Sequence, residues 1–410
     1  MDLIIGAGVT GISYANFTKN DFVVFEESNK PGGYCKTIKQ DGFIWDYSGH
    51  FLHFRNEEIK DYLFKNIDPS DIIKKDKLTQ IYYKDSYVDF PFQKNIHQLP
   101  QQDFIDCLYD LYFRPGLDFQ TFKEMLISQF GRSICEKFLF PYNEKLYACN
   151  LDDLDKEAMG RFFPHANFEE ILRNFKKKND TSYNTYFLYP KEGAYEYIKS
   201  LLKNINEEKM FLNEKVILIN PGEKFVTTSA NRTIYYDNLI STFPFNKLLH
   251  MLSLGDNIEY YTSNTVLVFN LGFDKPSENK NHWIYFPSKE LIFYRVGFYN
   301  NIFDSKRMSL YIEIGKNDDV NEYSSLMLLE RVISDLKKAG IIKDHNLLSY
   351  NYLVLNPAYV HINRKANDDM QKKMGYLNKL NIYPIGRYGS WKYCSIEDNI
   401  IEARELAIKL

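Results

Sequence analysis

Cysteine is sparse in this chain: Cys35, Cys107, Cys135, Cys149 and Cys394 are the only five in 410 residues, and none are spaced C-x-x-C. An odd, scattered set argues against a disulfide framework and against a zinc site, and points to a reducing compartment. No apolar stretch approaches the roughly 20 residues that a membrane helix needs. The first residues lack the charged start, apolar core and cleavage site of a signal peptide. A soluble, cytoplasmic protein is the expectation. Surplus positive charge is missing too, since Lys+Arg 51 against Asp+Glu 54 leaves a net charge of −3. That balance argues against a protein that coats nucleic acid or a membrane surface. What is present is ordinary for a globular chain: 44% hydrophobic and 26% charged residues. At about 150 residues per unit, the length suggests two or three structural units.

The N-terminus carries the first motif. Asp2 to Ile5 is a short apolar strand that runs into Gly6-Ala7-Gly8-Val9-Thr10-Gly11, and a helical pattern follows to Phe17. In a G-x-G-x-x-G loop the first glycine makes the turn, the second admits a pyrophosphate, and the third lets helix and strand pack closely. Phosphates would sit on the helix N-terminus, at Gly8, Val9 and Thr10, where open N–H groups and the dipole favour negative charge. A second strand, Phe22 to Phe25, ends at Glu26, a carboxylate suited to ribose hydroxyls. Gly32 and Gly33 follow, and this E-x5-G-G continuation resembles the FAD-binding fold of the amine oxidase and glutathione reductase type. FAD is therefore the expected cofactor.

Further pieces of this domain lie far along the chain. Lys215 to Ile219, a Pro221-Gly222 turn, Lys224 to Ser229, and Asn238 to Pro244 read as strands returning to the sheet, with Val216 a cofactor contact. Asn381 to Gly386 reads as another strand, and Ser395 to Asp398 opens a helix with a capping-box pattern. The expected fold class is α/β: a Rossmann-like FAD-binding domain with an inserted helical subdomain and an antiparallel β-sheet subdomain. Residues 1–56, 193–250 and 378–410 would form the first, 57–150 the second, and 151–192 with 251–377 the third. Apolar runs at 264–270, 282–286, 291–295 and 308–313 supply the expected strands of that sheet.

Several separated segments resemble UDP-galactopyranose mutases of the eukaryotic type, within the FAD-binding amine oxidase-like superfamily. Gly42-Phe-Ile-Trp-Asp-Tyr-Ser-Gly-His50 is similar to the family loop that brings a histidine to the flavin, which implicates Gly49 and His50. Phe90-Pro-Phe92-Gln93-Lys-Asn-Ile96 resembles a Y-P-F-Q-x-N-I stretch that holds uridine, with Phe90 in place of Tyr. Tyr142-Asn143-Glu-Lys-Leu-Tyr147 resembles Y-N-x-K-x-W, with Tyr147 in place of Trp. Asn184, in Asn184 to Pro190, matches a residue that touches sugar hydroxyls. Trp283-Ile-Tyr285-Phe-Pro287 with Phe293-Tyr-Arg295, and Pro357-Ala-Tyr359-Val360, are similar to diphosphate-binding segments. Gly386-Arg387-Tyr-Gly-Ser-Trp-Lys-Tyr393 resembles the signature G-R-x-G-x-W-x-Y. Arg161 falls near a second family arginine.

The resemblance implies a flavin-dependent isomerase of cell-surface polysaccharide biosynthesis. It would interconvert the pyranose and furanose forms of a nucleotide sugar, UDP-galactose first. Reduced FAD would attack the anomeric carbon through N5, displacing the diphosphate and later taking it back. His50, Arg295, Tyr285, Tyr359 and Tyr393 become the catalytic set. Arginine is scarce, twelve residues in all, and its planar fork binds phosphate oxygens in pairs. Arg295 is thus read as a diphosphate ligand and Arg387 as a neutraliser of reduced flavin; a structural ion pair is the alternative for Arg295. The substitutions Phe90 and Tyr147 keep a mutase for another nucleotide sugar open. An FAD-dependent oxidase or desaturase on the same fold is the competing class. No metal is expected, an oligomer is compatible with the sequence, and the reductant is unidentified.

Overall fold

The four residues of Asp2–Ile5 are all buried, as expected of a strand covered on both faces. They form the centre of a five-stranded parallel sheet, in the order Ile382–Pro384, Asn238–Ser241, Asp2–Ile5, Phe22–Phe25, Met210–Phe211. In this computed structural model, which describes residues 1–116, 118–176, 185–317 and 325–410, the strands that build this sheet are up to 380 residues apart in sequence. Helices Val9–Phe17 and Ile396–Lys409 share one core on it through Ile12, Tyr14, Ile400 and Ala403. The last helix starts at a capping box formed by Ser395 and Asp398. Residues 216–235 form a separate three-stranded antiparallel meander.

The second large layer is a seven-stranded sheet. Its order is Leu347–Leu355, Thr265–Phe273, Ser309–Lys316, Arg295–Phe298, Trp283–Tyr285, Thr79–Tyr83, Ser86–Asp89. All pairings are antiparallel except Trp283–Tyr285 with Thr79–Tyr83. The molecule is thus a mixed α/β fold. Three sequence boundaries need correction. The strand-like pair expected around Gln80 to Phe92 is the hairpin 79–89, and what changes is its place: it extends the seven-stranded sheet rather than staying within the helical segment 57–150, because the edge strand Trp283–Tyr285 offers free backbone groups that the hairpin satisfies. Strand Tyr186–Pro190, assigned to the same sheet, pairs instead with Ile72–Asp76 as a two-stranded unit. The run 291–295 is a strand only from Arg295 onward.

Among the described residues no helix is long and apolar enough to cross a membrane, and no cluster of His, Cys, Asp and Glu could hold a metal ion. The five cysteines are unpaired.

Two histidines are held in the neutral form, His282 beside the hairpin and His53 beside strand Tyr186–Pro190. The Leu78 N–H donates to His282 Nδ1 (3.1 Å), and the His53 ring donates from Nδ1 to the Tyr186 carbonyl (2.7 Å). Burial, aided by nearby lysines, pushes both rings down to about 4. An unfolded chain takes up a proton near pH 6.5 that the folded chain refuses until about pH 4. Stability should therefore fall as pH drops through that window, by roughly 3 kcal/mol per histidine. Urea unfolding of wild type and His282→Gln at pH 7.5 and 4 tests this: the stability difference should shift towards the variant on acidification.

Candidate functional site: a dinucleotide cavity with an arginine–tyrosine wall

The glycine loop is built by close approach. Gly6 has φ +97°, and a Cβ there would lie 2.4 Å from Thr242 Oγ1. A Cβ on Gly11 would lie 2.0 Å from the Gly6 carbonyl oxygen, so the first helical turn rests directly on the loop. Gly8 and Gly33 face each other backbone to backbone. Glu26 is buried; its Oε2 accepts from the Ala7 N–H (2.8 Å) and its Oε1 from the N–H (3.0 Å) and hydroxyl (2.6 Å) of Ser28. Helix Val9–Phe17 has Gly8 as N-cap, without a side-chain cap and without an acid in its first turn. Its first N–H groups are left for an anion.

A cavity of about 970 Å³ opens from this loop, the upper end of the range for small-molecule sites. Gly6, Gly8, Val9, Thr10, Glu26, Gly32, Gly33 and Val216 line it around the glycine loop, and Gly49, His50, Arg295, Tyr359, Arg387 and Tyr393 line the rest. Gly11, Gly386 and Ser395 support it from behind. Gly386 abuts Thr10 Oγ1, which donates to Asn399 Oδ1 (2.8 Å), and Ser395 caps the last helix. The open helix N-terminus, the facing glycines and the buried acid together fit the diphosphate and ribose of FAD.

Elsewhere in the lining, Arg295 and Glu313 stand opposite each other on paired strands. Nε donates to Oε2 (2.5 Å) and Nη2 to Oε1 (2.6 Å), and the Ser48 hydroxyl donates to the same carboxylate. The Glu313 side chain is 2% exposed. Half of the guanidinium fork, and its charge, is therefore occupied by a buried acid. The ion pair weighed as the alternative for Arg295 is present, and Nη1 is the nitrogen it leaves for a ligand. The reason is register, which aligns a strand's opening arginine with the one acid in Ser309–Lys316.

Arg387 is the less compensated charge. Nη1 donates to the Cys394 carbonyl (3.3 Å) and Nη2 to the Ala358 carbonyl (3.1 Å). No carboxylate pairs with it among the described residues. Its guanidinium lies 4.7 Å from the Tyr393 ring and 5.3 Å from the Tyr359 ring, and those two rings stack at 5.7 Å. Neither tyrosine hydroxyl bonds to the protein among the described residues. Burial holds the Tyr359 hydroxyl well above its ordinary value, so it stays a donor. His50 Nδ1 lies 3.0 Å from the Ser48 carbonyl. A carbonyl can only accept, so the neutral ring carries its proton on Nδ1 and offers Nε2 as acceptor.

The residues assigned to the nucleotide do not line this cavity. Phe92 is fully buried, stacked on Phe138 at 5.0 Å, and Tyr147 is buried with its hydroxyl on the Ala158 carbonyl (3.4 Å). Both are core residues here, because large aromatic rings are what the helical layer packs around. Arg161 is held by Asp398 (2.5 Å) and Glu397 (3.8 Å) at the start of the last helix, not by the cavity. Gln93 and Asn143 are buried; their amide nitrogens donate to the Pro164 and Leu139 carbonyls, and neither amide oxygen has a partner among the described residues. Phe90 and Tyr285 are half-buried with ring centres 5.1 Å apart, and Tyr142 meets Tyr285 edge-on at 5.1 Å. Asn184 lies outside the described residues.

Three residues escaped the sequence reading. Glu313 could have been found as a lone acid inside an apolar strand run, and Ser48 sits in a matched loop. Lys145 donates to four carbonyls of the segment that precedes Arg295. Burial pushes it down to about 7, against the opposing pull of the Asp335 carboxylate. Lys145 stands at the Lys of the Y-N-x-K-x-W match, but nothing in the sequence joins it to those four carbonyls.

A Rossmann-type glycine loop, a buried acid after the second strand and a long cavity running to a polar wall define an FAD-dependent enzyme. The family model for flavin-containing amine oxidoreductase matches residues 15–364. The chain belongs to that family, and FAD is its cofactor. Among curated proteins it is 23% identical over 332 residues to a coproporphyrinogen III oxidase of Staphylococcus aureus, covering 68% of each chain. It is 29% identical over 189 residues to a protoporphyrinogen oxidase of Dictyostelium discoideum, covering 42% of this chain and 34% of that one. The fold superposes on a crystal structure of reduced UDP-galactopyranose mutase with a TM-score of 0.92, at 24% identity, covering 99% of this chain and 92% of that one.

Proposed function

We propose that this chain is a flavin-dependent mutase that interconverts the pyranose and furanose forms of a nucleotide sugar, with UDP-galactose as substrate. The observation that carries the reading is the Arg387–Tyr359–Tyr393 wall: a guanidinium without a carboxylate partner, flanked by two hydroxyl donors without protein partners. Such a wall suits a diphosphate, which needs donors and positive charge. The segments 1–56, 193–250 and 378–410 would hold FAD, through Gly6, Gly8, Val9, Thr10, Glu26, Gly33 and Val216. Bound and reduced, FAD would supply the nucleophile that takes the anomeric carbon and returns it without net redox change. Arg387, Tyr359 and Tyr393, with Nη1 of Arg295, would keep the displaced diphosphate in position to return. His50 would accept a hydrogen bond at Nε2.

The oxidase reading also has an observation behind it, the cancellation of Arg295 by Glu313, which lessens the pull on a dianion. One anaerobic assay separates the two. Dithionite-reduced protein should convert UDP-galactofuranose to UDP-galactopyranose, seen by chromatography, and the oxidised protein should not. Absence of conversion, with oxygen consumption on an apolar or amine substrate, would favour the oxidase. Within the mutase reading, Tyr359→Phe should keep its flavin and lower kcat/KM by about 10- to 100-fold, the loss of one donor to a charged oxygen.

A further inference from the structure

Helix Phe140–Tyr147 carries Tyr142 and Asn143, while the strands Trp283–Tyr285 and Arg295–Phe298 carry Tyr285 and Arg295. One ammonium joins the two. Lys145 Nζ donates to the carbonyls of Phe286 (2.9 Å), Ser288 (2.8 Å), Leu291 (2.9 Å) and Phe293 (2.5 Å). Four acceptors thus surround three hydrogens, and the segment between Tyr285 and Arg295 is wound around a side chain of the helix. Without Lys145 those carbonyls would face one another with no donor. The same segment has a second tie to the helix, from Lys289 to Glu144 (2.8 Å). From the other side, buried Asp335 accepts from the Ile292 N–H (2.8 Å) and Arg331 donates to the Glu290 carbonyl (2.8 Å). The helix itself lies on the strand of Glu313, since a Cβ on Gly315 would fall 2.1 Å from the Lys145 carbonyl oxygen.

We infer that Lys145 is a positioning residue: its ammonium locks the Tyr285–Arg295 hairpin to the helix of Tyr142 and Asn143, and so sets where Arg295, through Nη1, meets the diphosphate of a nucleotide beside the Arg387–Tyr359–Tyr393 wall. The inference rests on the nucleotide-sugar reading above. Lys145 touches neither cofactor nor substrate in this role. It converts a loop that would otherwise drift into a fixed frame, the kind of support that keeps ligating groups within a fraction of an ångström.

The test uses the FAD-loaded protein with UDP as probe, by titration calorimetry, in wild type, Lys145→Ala and Lys145→Met. Both variants should hold FAD as wild type does and bind UDP about tenfold more weakly, or about 1.4 kcal/mol. Added ethylammonium should restore affinity in Lys145→Ala, where it can enter the vacated cage, and not in Lys145→Met, where the stem still fills it. Hydrogen exchange of residues 286–298 should quicken in both, with the parallel sheet unchanged. If Lys145→Ala fails to fold, Lys145→Met carries the comparison. Undiminished UDP affinity, or unchanged exchange at 286–298, would overturn the inference while leaving the functional reading intact. A wild type that holds FAD and binds no UDP would overturn the nucleotide-sugar reading, and the inference with it.

Discussion

Arg295→Ala is expected to lower the unfolding free energy by about 3–5 kcal/mol, the largest loss foreseen for any single change in the cavity. Its cause is the partner left behind. Glu313 is 2% exposed and takes both of its strong hydrogen bonds from Arg295, with one more from Ser48. Removing the guanidinium leaves a carboxylate in a low-dielectric wall, where charge is costly unless paired. Arg295→Met/Glu313→Leu removes the whole pair at similar volume and should recover most of the stability. Urea unfolding of wild type, Arg295→Met, Glu313→Leu and the double variant measures this coupling, with Arg295→Ala alongside. If the single variant were as stable as wild type, the ion pair would not be the structural element described here. Activity distinguishes a second role: stability recovered without turnover would mean that Arg295 also serves the substrate.

The second large effect concerns flavin binding. Gly11→Ala should yield a protein with little bound flavin and reduced stability, because the added methyl meets the Gly6 carbonyl oxygen at 2.0 Å. That oxygen belongs to the backbone of the loop and cannot move aside without opening the turn. Gly8→Ala is the control. Its Cβ would meet only the Gly33 Cα, at 4.0 Å, so the apoprotein should be about as stable as wild type. The methyl would stand where a pyrophosphate must approach, and flavin should be lost there as well. Flavin absorbance per polypeptide, read together with thermal unfolding of the apoproteins, separates the two. Equal stability of the two apo variants would contradict the packing of this helix on the loop.

The glycine loop was legible in the sequence because its geometry is local: Gly6, Gly8, Gly11 and Glu26 lie within about one βαβ unit, where spacing determines position. The capping box at Ser395 was legible for the same reason. The pairing of Arg295 with Glu313 was not, because it depends on which of several apolar strands lie side by side, and in what register. The run 291–295 shows how local pattern misleads. Its unbroken apolar run suits a strand, yet the Leu291 and Phe293 carbonyls are drawn onto Lys145, a residue about 150 positions away, and a carbonyl that feeds a cage cannot also feed a ladder. Phe92 and Tyr147 failed in another way. An aromatic that stacks on a base and one that fills a core are the same letter, and only burial distinguishes them.

The order of the parallel sheet also bears on synthesis. Strand Asp2–Ile5 lies between Phe22–Phe25 and Asn238–Ser241. Its second neighbour is made only after more than 230 further residues, on the order of 10–50 s of translation. During that time an apolar strand has one open edge while the intervening segments emerge. The nascent chain should therefore bind a chaperone that recognises extended apolar segments until Ser241 has left the ribosome, and release it soon after.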